Sequence, residues 1–146
     1  MSERNLWLEL SSRLSGQWHA SRVESHATSA GIPDVDYCFL GGEEGHLELK
    51  YGKYKKLSSK SKMPEIRGTQ VRWCNNRVRA GGTVILITKL VEGDVDIYFL
   101  HDGSKIEQLS DCREYWFWLK EAKCRDNYMS DKIIAAIKHW KEYYVK

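Results

Sequence analysis

The stretch GIPDVDYCFLGGEEGHLELKYGK, from Gly31 to Lys53, decides the fold. Residues 35–40 are rich in β-forming side chains, GGEEG supplies the backbone freedom of a turn, and HLELKY follows as a second extended run. Two short β-rich runs separated by a glycine-rich turn indicate a β-hairpin. The stretch therefore predicts two antiparallel strands, with Pro33 and Asp34 directly before the first of them.

The second run places its charged side chains on one face of the hairpin. Successive residues of a strand point to opposite faces, so Glu48 and Lys50 share one face. Leu47 and Leu49 share the other face and can enter the core. Pairing with the preceding run predicts that Asp34 lies beside Glu48. One end of the hairpin thus collects two carboxylates and a lysine.

Outward from the hairpin, helical and extended patterns alternate. Apolar residues recur at helical spacing near residues 3–14, and residues 18–25 alternate weakly as a short strand. After a polar loop rich in Ser and Lys, a helix from about residue 64 or 69 to residue 80 precedes the apolar run TVILITKL, which is typical of a buried central strand. A strand over residues 96–100 and a helical last third follow. This order predicts an α/β fold with a central mixed β-sheet flanked by helices.

The chain of 146 residues is predicted to form one domain, with a core over about residues 1–100 and a helical C-terminal extension over about residues 110–146.

No apolar run is long enough to span a membrane, and the first ten residues lack a signal-peptide pattern, so we expect the protein in the cytoplasm. The four cysteines lack CxxC spacing, which favours reduced thiols over a zinc site.

Lysines and arginines are concentrated in one block of the chain. The formal net charge is +3, but residues 50–79 contain ten basic residues and one acidic residue, a net charge of +9, so the remainder carries −6. A basic block of this kind indicates a polyanionic partner. Its basic residues are Lys50, Lys53, Lys55, Lys56, Lys60, Lys62, Arg67, Arg72, Arg77 and Arg79.

The charged end of the hairpin has the parts for metal-assisted hydrolysis of a phosphodiester. Two carboxylates held together, here Asp34 and Glu48, repel each other unless a cation lies between them. Mg²⁺ prefers oxygen ligands and often takes one or two carboxylates, with water or substrate phosphate completing its shell. A neighbouring lysine, here Lys50, can stabilise charge that develops on the phosphate.

The spacing of these residues resembles the motif of the PD-(D/E)xK nuclease superfamily: Pro-Asp at 33–34, thirteen intervening residues, then Glu-Leu-Lys at 48–50. With GIPDVDY, HLELK and Gln70 on a helix before an apolar strand, the chain looks most like the VRR-NUC branch, which is related to phage and archaeal Holliday-junction resolvases. The resemblance covers roughly residues 20–90. It implies a restriction-endonuclease-like core and a Mg²⁺- or Mn²⁺-dependent nuclease acting on DNA.

The resemblance also implies roles residue by residue. Asp34 and Glu48 match the metal ligands of the family, with the main-chain carbonyl of Leu49 as a further ligand. Lys50 matches the catalytic lysine. Gln70 matches a glutamine that helps to place the attacking water or the scissile phosphate.

Many members of the family carry a further acidic residue upstream of this motif. We expect it to be Glu24, with Glu9 on the first helix as the second choice. DNA is expected along the basic block, because the block begins directly after Lys50, and phosphate contacts supply most non-specific affinity for DNA. The predicted DNA-contacting residues are Arg22, Lys53, Lys55, Lys56, Lys60, Lys62, Arg67, Arg72 and Arg77.

Other interpretations stay open for these features. The hairpin charges could be an ordinary ion pair on a solvated face, and Gln70 could be a boundary residue of its helix. Asp36 points to the same face as Asp34, as a second metal ligand or as a solvated charge. The basic block could be a solubilising surface. The aromatic patch at residues 115–119 could stack bases, although core packing or a dimer interface is favoured.

The leading hypothesis is a divalent-metal-dependent DNA endonuclease from a phage or bacterium, with structure-specific cutting of Holliday junctions or other branched DNA as its narrower form. Symmetric cutting of two strands implies a two-fold homodimer. Two alternatives come from other classes. One is a catalytically inactive DNA-binding module of the same fold. The other is a subunit that binds a partner protein through its aromatic C-terminal third.

Overall fold

The computed structural model describes residues 2–23 and 31–143. Its centre is a six-stranded sheet in which spatial order follows chain order. The third and fourth strands are parallel and all other neighbours are antiparallel, so the sheet is mixed. The strands are β1 (Trp18–Arg22), β2 (Val35–Phe39), β3 (Glu44–Tyr54), β4 (Val84–Glu92), β5 (Val95–Asp102) and β6 (Cys124–Asp126).

Helices cover both faces of the sheet. They are α1 (Glu3–Arg13), α2 (Gly68–Arg79), α3 (Ile106–Asp111), α4 (Tyr115–Glu121) and α5 (Asp131–Lys138), with short 3₁₀ turns at Gly103–Lys105 and Trp140–Glu142. One core cluster joins α1 and α5 to apolar side chains of the sheet, including Leu47 and Leu49. The second joins α2, α3 and α4 to the opposite face.

The parallel pair β3–β4 determines where α2 lies. Parallel neighbours cannot be joined by a tight turn and need a crossover, usually through a helix. Here residues 55–83 form that crossover and include α2. Both strands are covered on their two faces, which explains the almost unbroken apolar sequence of β4 and its burial from Val84 to Val91.

The predicted fold class is confirmed: the protein is α/β, with a mixed sheet flanked by helices. The hairpin lies where it was predicted, but β3 continues through Tyr54 into the segment expected to be loop. The last third has the expected helices and also the short strand β6, which pairs with β5. Among the described residues, no helix is long and apolar enough to cross a membrane.

Candidate active site

The start of β2 brings Asp34 to the middle of β3. Val35 pairs with Leu47, so Asp34 is the next residue along, towards Glu48. The Leu49 N–H donates a hydrogen bond of 2.8 Å to Asp34 Oδ2. The N–H and C=O of one strand residue point to the same side, so the Leu49 carbonyl faces the side on which Asp34 lies.

Gly31 allows the turn before Asp34 to touch the first turn of α2. Its φ is +85°, and a Cβ at this position would lie 2.0 Å from the Thr69 carbonyl oxygen. Only glycine fits both the positive φ and the close backbone approach. The glycine predicted from sequence as a turn residue thus also draws Asp34 towards the helix that carries Gln70.

Glu48, Lys50 and Gln70 form a buried hydrogen-bonded cluster between β3 and α2, with exposures of 2%, 6% and 5%. The Lys50 Nζ donates to Gln70 Oε1 at 3.1 Å and lies 3.6 Å from Glu48 Oε2. Gln70 Nε2 donates to the same Glu48 oxygen at 2.9 Å. Gln70 Oε1 also accepts from the Arg67 N–H at 2.9 Å. Every polar atom of the Gln70 amide therefore has a partner.

One oxygen of the Glu48 carboxylate accepts none of these hydrogen bonds. Glu48 Oε1 is buried and has no hydrogen-bond partner among the described residues. Burial, followed by the Asp34 carboxylate, raises the pKa of Glu48 well above its ordinary value, and Lys50 opposes this only in part. A buried carboxylate oxygen without a donor is costly. A cation placed between Asp34 and Glu48 would remove both the repulsion and the unpartnered oxygen.

The acidic residue that the structure places beside this cluster is Glu3, in the first turn of α1. Burial, then the charge of Asp34, raises the pKa of Glu3, while Lys50, Arg22 and Arg67 lower it. Sequence reasoning missed Glu3. Its available signal was weak, since an acidic residue in the first turn of a helix is common for reasons of the helix dipole alone.

The sequence predicted Glu24, with Glu9 as the second choice, as the additional acidic residue beside the cluster. Glu24 lies outside the described residues. Glu9, the second choice, lies two turns along α1 from Glu3 and contacts Lys89 and Tyr98 on the face of the sheet away from α2. The prediction for Glu9 is wrong in placement, because its position on α1 turns it towards β4 and β5.

Thr88 is a second residue that the sequence did not single out. It pairs with Lys50 in the parallel register, so the two side chains point to the same face. Its hydroxyl is fully buried and has no partner among the described residues. Its only sequence signal is a threonine in the middle of the apolar run TVILITKL.

The predicted DNA-contacting residues are all exposed, but they are not gathered in one place. Arg22 and Arg67 lie near Glu3, and Arg22 lines a cleft of about 430 Å³ with Ser2, Glu3, Arg4 and Tyr51. Arg77 lies at the other end of α2, where its guanidinium stacks on Trp73 at 4.6 Å. Arg72 lies on α2 and Lys53 lies within β3, whereas Lys55, Lys56, Lys60 and Lys62 follow the end of β3.

Asp36 and the cysteines take no part in the cluster. Asp36 is exposed, pairs with His46 and lines a separate cleft with Glu44 and Arg77. The four cysteines are free thiols, as predicted; Cys74 and Cys124 are buried and the other two partly so. Within residues 2–23 and 31–143, no three His, Cys, Asp or Glu side chains are grouped to hold a metal ion.

The oxygen set that remains for a metal is the two carboxylates of Asp34 and Glu48 and the carbonyl of Leu49. These are hard ligands, and Mg²⁺ commonly binds through one or two carboxylates while it keeps water or phosphate as its other ligands. The unpartnered Glu48 Oε1 and the raised pKa of Glu48 agree with this set. The residues present therefore fit a divalent cation better than they fit an empty carboxylate pair.

Comparisons with known proteins find little similarity. No protein family and no curated protein matches the chain. Among solved structures, it is similar to Hjc of Archaeoglobus fulgidus, a Holliday junction resolvase from an archaeal hyperthermophile, at 20% identity and a TM-score of 0.39. The match covers 66% of this chain and 72% of that one. Similarity at this level assigns no function to the chain.

Proposed function

We propose that this protein is a divalent-metal-dependent nuclease that hydrolyses DNA phosphodiesters. The observation that supports the proposal is the convergence of Asp34, Glu48, Lys50 and Gln70 at one point, with one Glu48 oxygen unpartnered. An ordinary buried ion pair has its oxygens satisfied. This cluster is arranged so that a further positive group completes it.

Each side chain has a distinct part in the proposed reaction. Asp34, Glu48 and the Leu49 carbonyl would hold the cation, which when bound supplies Lewis-acid stabilisation of charge on a phosphoryl oxygen. Lys50 offers its ammonium to the charge that grows on the phosphate in the transition state. Gln70 fixes Lys50 and Glu48 through one amide, so that neither has to reorganise when the substrate binds.

DNA is the proposed substrate because two exposed arginines lie near this cluster. Arg22 and Arg67 lie close enough to Glu3 to affect its pKa. Exposed cations of this kind contact phosphates and make binding fall steeply with salt. Branched DNA such as a Holliday junction, and a two-fold homodimer that cuts both strands, belong to this proposal through the resemblance to resolvase-related nucleases.

A cleavage assay tests the proposal. Labelled duplex, single strand, flap and four-way junction are each incubated with Mg²⁺, Mn²⁺ or EDTA, with wild type and with Lys50→Ala. We expect cutting that requires the metal and is lost in the variant. Cutting by Lys50→Ala at the wild-type rate would show that the site is misassigned. Salt-sensitive binding without cutting in either metal would instead indicate the inactive DNA-binding module.

A further inference from the structure

The lysine-rich loop that follows β3, residues 55–62, is hydrogen-bonded to the start of α4, the helix that carries the exposed Trp116. The backbone N–H of Trp116 donates to the Ser59 carbonyl at 3.0 Å, and the backbone N–H of Tyr115 donates to the Ser61 carbonyl at 2.9 Å. The first turn of a helix leaves such N–H groups without a partner inside the helix, so the loop supplies the acceptors at the start of α4. The basic loop and the aromatic helix are therefore one unit.

A second set of contacts fixes the same unit further along the loop. The Met63 N–H donates to the Arg113 carbonyl at 2.7 Å, and the Arg113 guanidinium donates back to the Met63 carbonyl through Nε and one terminal nitrogen. The Met63 side chain is fully buried. The relative position of the lysines and α4 is thus set by backbone hydrogen bonds and core packing, rather than by side-chain ion pairs alone.

Trp116 presents an exposed aromatic surface beside Glu114, whose carboxylate also lies 4.0 Å from the Lys62 ammonium. Its side chain is 42% exposed. The indole Nε1 donates to Glu114 Oε1 at 2.6 Å, and the Phe117 ring packs edge-on at 5.6 Å, so the ring is held in place. Lys120 lies one helical turn further on the same face of α4 and is exposed. The exposed lysines on the loop side are Lys55, Lys56, Lys60 and Lys62.

We propose that Trp116 stacks on an unpaired base of the DNA substrate while these lysines contact the adjoining phosphates. An aromatic ring fixed beside exposed cations is the arrangement by which proteins bind single-stranded nucleic acid, because every base has a face that can stack. Paired bases within a duplex are already stacked on each other. The substrate class is therefore DNA with a single-stranded segment, such as a flap, a splayed arm or an open junction.

The position of this surface fits a substrate that also reaches the candidate active site. β3 runs without a break from Lys50 to Tyr54, directly before the loop. The step from Lys50 to Tyr54 spans about 13 Å of strand, and the Tyr54 hydroxyl donates to the Lys62 carbonyl in the loop at 2.6 Å. The inference rests on the proposed nuclease function and adds to it a requirement for unpaired bases in the DNA that is cut.

Fluorescence anisotropy with a labelled single-stranded oligonucleotide and the matching blunt duplex tests this, in EDTA so that no cutting occurs. We expect Trp116→Ala to weaken single-strand binding by about 5- to 100-fold, with a smaller loss for duplex. Trp116→Phe should retain most of the affinity. Tyr128→Ala is the matched control, since Tyr128 is 64% exposed on another part of the surface and should bind as wild type does.

A second measurement follows the fluorescence of the Trp116 ring. Single-stranded DNA should quench a component of tryptophan fluorescence in wild type that Trp116→Phe lacks. Equal losses of single-strand and duplex affinity in Trp116→Ala, or single-strand affinity equal to wild type, would overturn the stacking inference. Metal-dependent cleavage of DNA by the same wild-type preparation would then show that the proposed nuclease function stands without it.

Discussion

Each face of the sheet has one lysine paired with a glutamate, and the two pairs differ in how completely the carboxylate is satisfied. On the α1 face, Lys89 Nζ lies 2.6 Å from Glu9 Oε1 and 3.7 Å from Asp96 Oδ2, and the Tyr98 hydroxyl contacts both Glu9 oxygens. On the α2 face, Lys50 lies 3.6 Å from Glu48 Oε2, and Glu48 Oε1 has no partner among the described residues.

The difference separates an ion pair whose carboxylate is fully contacted from one that fits the proposed metal site. The first pair is closed, because the Lys89 ammonium and the Tyr98 hydroxyl already contact the carboxylate of Glu9. The second has a further carboxylate, Asp34, where a closed pair would have a donor. Charge pairing alone therefore does not identify a site, since both pairs have it. The unpartnered oxygen and the added negative charge distinguish the second pair from the first.

The largest expected effect comes from removing the lysine of each pair in turn. Lys50→Ala should reduce DNA cleavage by at least about 100- to 1,000-fold, because it removes a preorganised positive charge from the reacting phosphate. Lys89→Ala should retain cleavage below its unfolding temperature. It should lose about 1–3 kcal/mol of unfolding free energy, because Glu9 then loses its cation but remains about one third exposed.

Single-turnover cleavage and thermal unfolding of both variants decide the comparison. Circular dichroism establishes that Lys50→Ala is folded. If the two lysine variants lose cleavage to the same extent, the distinction between the closed pair and the open one is wrong.

A smaller effect is expected from Gln70→Ala. This change leaves Lys50 and Glu48 in place but removes the amide that fixes both. Loss of a group that orients a metal ligand typically costs about 10- to 100-fold in activity or metal affinity. Metal titration of cleavage should show a higher Mg²⁺ requirement for Gln70→Ala than for wild type. Asn75→Ala, one turn further along α2, is the control and should keep the wild-type requirement.

The two acidic residues of α1 should behave differently. Glu3→Gln should lower cleavage by about 10-fold through loss of a charge near Asp34 and Lys50, an effect of the size of one modest electrostatic contact. Glu9→Gln should lower thermal stability and leave the cleavage rate unchanged. Cleavage rates measured at a temperature well below both midpoints test this, and equal rates for the two variants would remove Glu3 from the site.

The smallest expected effect is the change in unfolding free energy with pH. Burial and Asp34 raise the pKa of Glu48 above its ordinary value of 4.5, so the folded protein holds this proton more tightly than the unfolded chain does. Unfolding free energy in EDTA should therefore decline as pH rises from about 4.5 through the raised pKa, with Glu3 adding in the same direction. Glu48→Gln should flatten this decline.

The effect of divalent cations on unfolding gives a second test of the Glu48 and Asp34 carboxylates. At neutral pH, Mg²⁺ should raise the unfolding temperature of wild type, because it binds the folded state only. The same ion should leave Glu48→Gln and Asp34→Asn nearly unchanged. A rise of equal size in all three proteins would show that Mg²⁺ acts elsewhere.

Local sequence patterns were sufficient to predict the hairpin, its two faces and the approach of Asp34 to Glu48. These follow from the alternation of strand residues and from antiparallel pairing of neighbours in the chain. The partner of Lys50 on α2 was available only through a family resemblance. The structure confirms that Gln70 lies beside Lys50, and the catalytic roles of these residues stay predictions.

The features that the sequence did not predict depend on distant parts of the chain. Glu3 reaches the site because α1 packs across the sheet, and Thr88 faces Lys50 because of the parallel register. The strand β6 has only three residues, too few for a periodic pattern. In each case the deciding information is how elements pack, which no short window of sequence contains.

The parallel pairing of β3 with β4 also sets when the candidate site comes into existence during folding. The hairpin that carries Asp34, Glu48 and Lys50 involves local contacts, whereas Gln70 takes its place only when the crossover closes and β4 joins the sheet. Such non-local pairing forms late and slowly. A nascent or partly folded chain therefore contains all four residues but no assembled site, so any cutting activity they have is withheld until the whole sheet is complete.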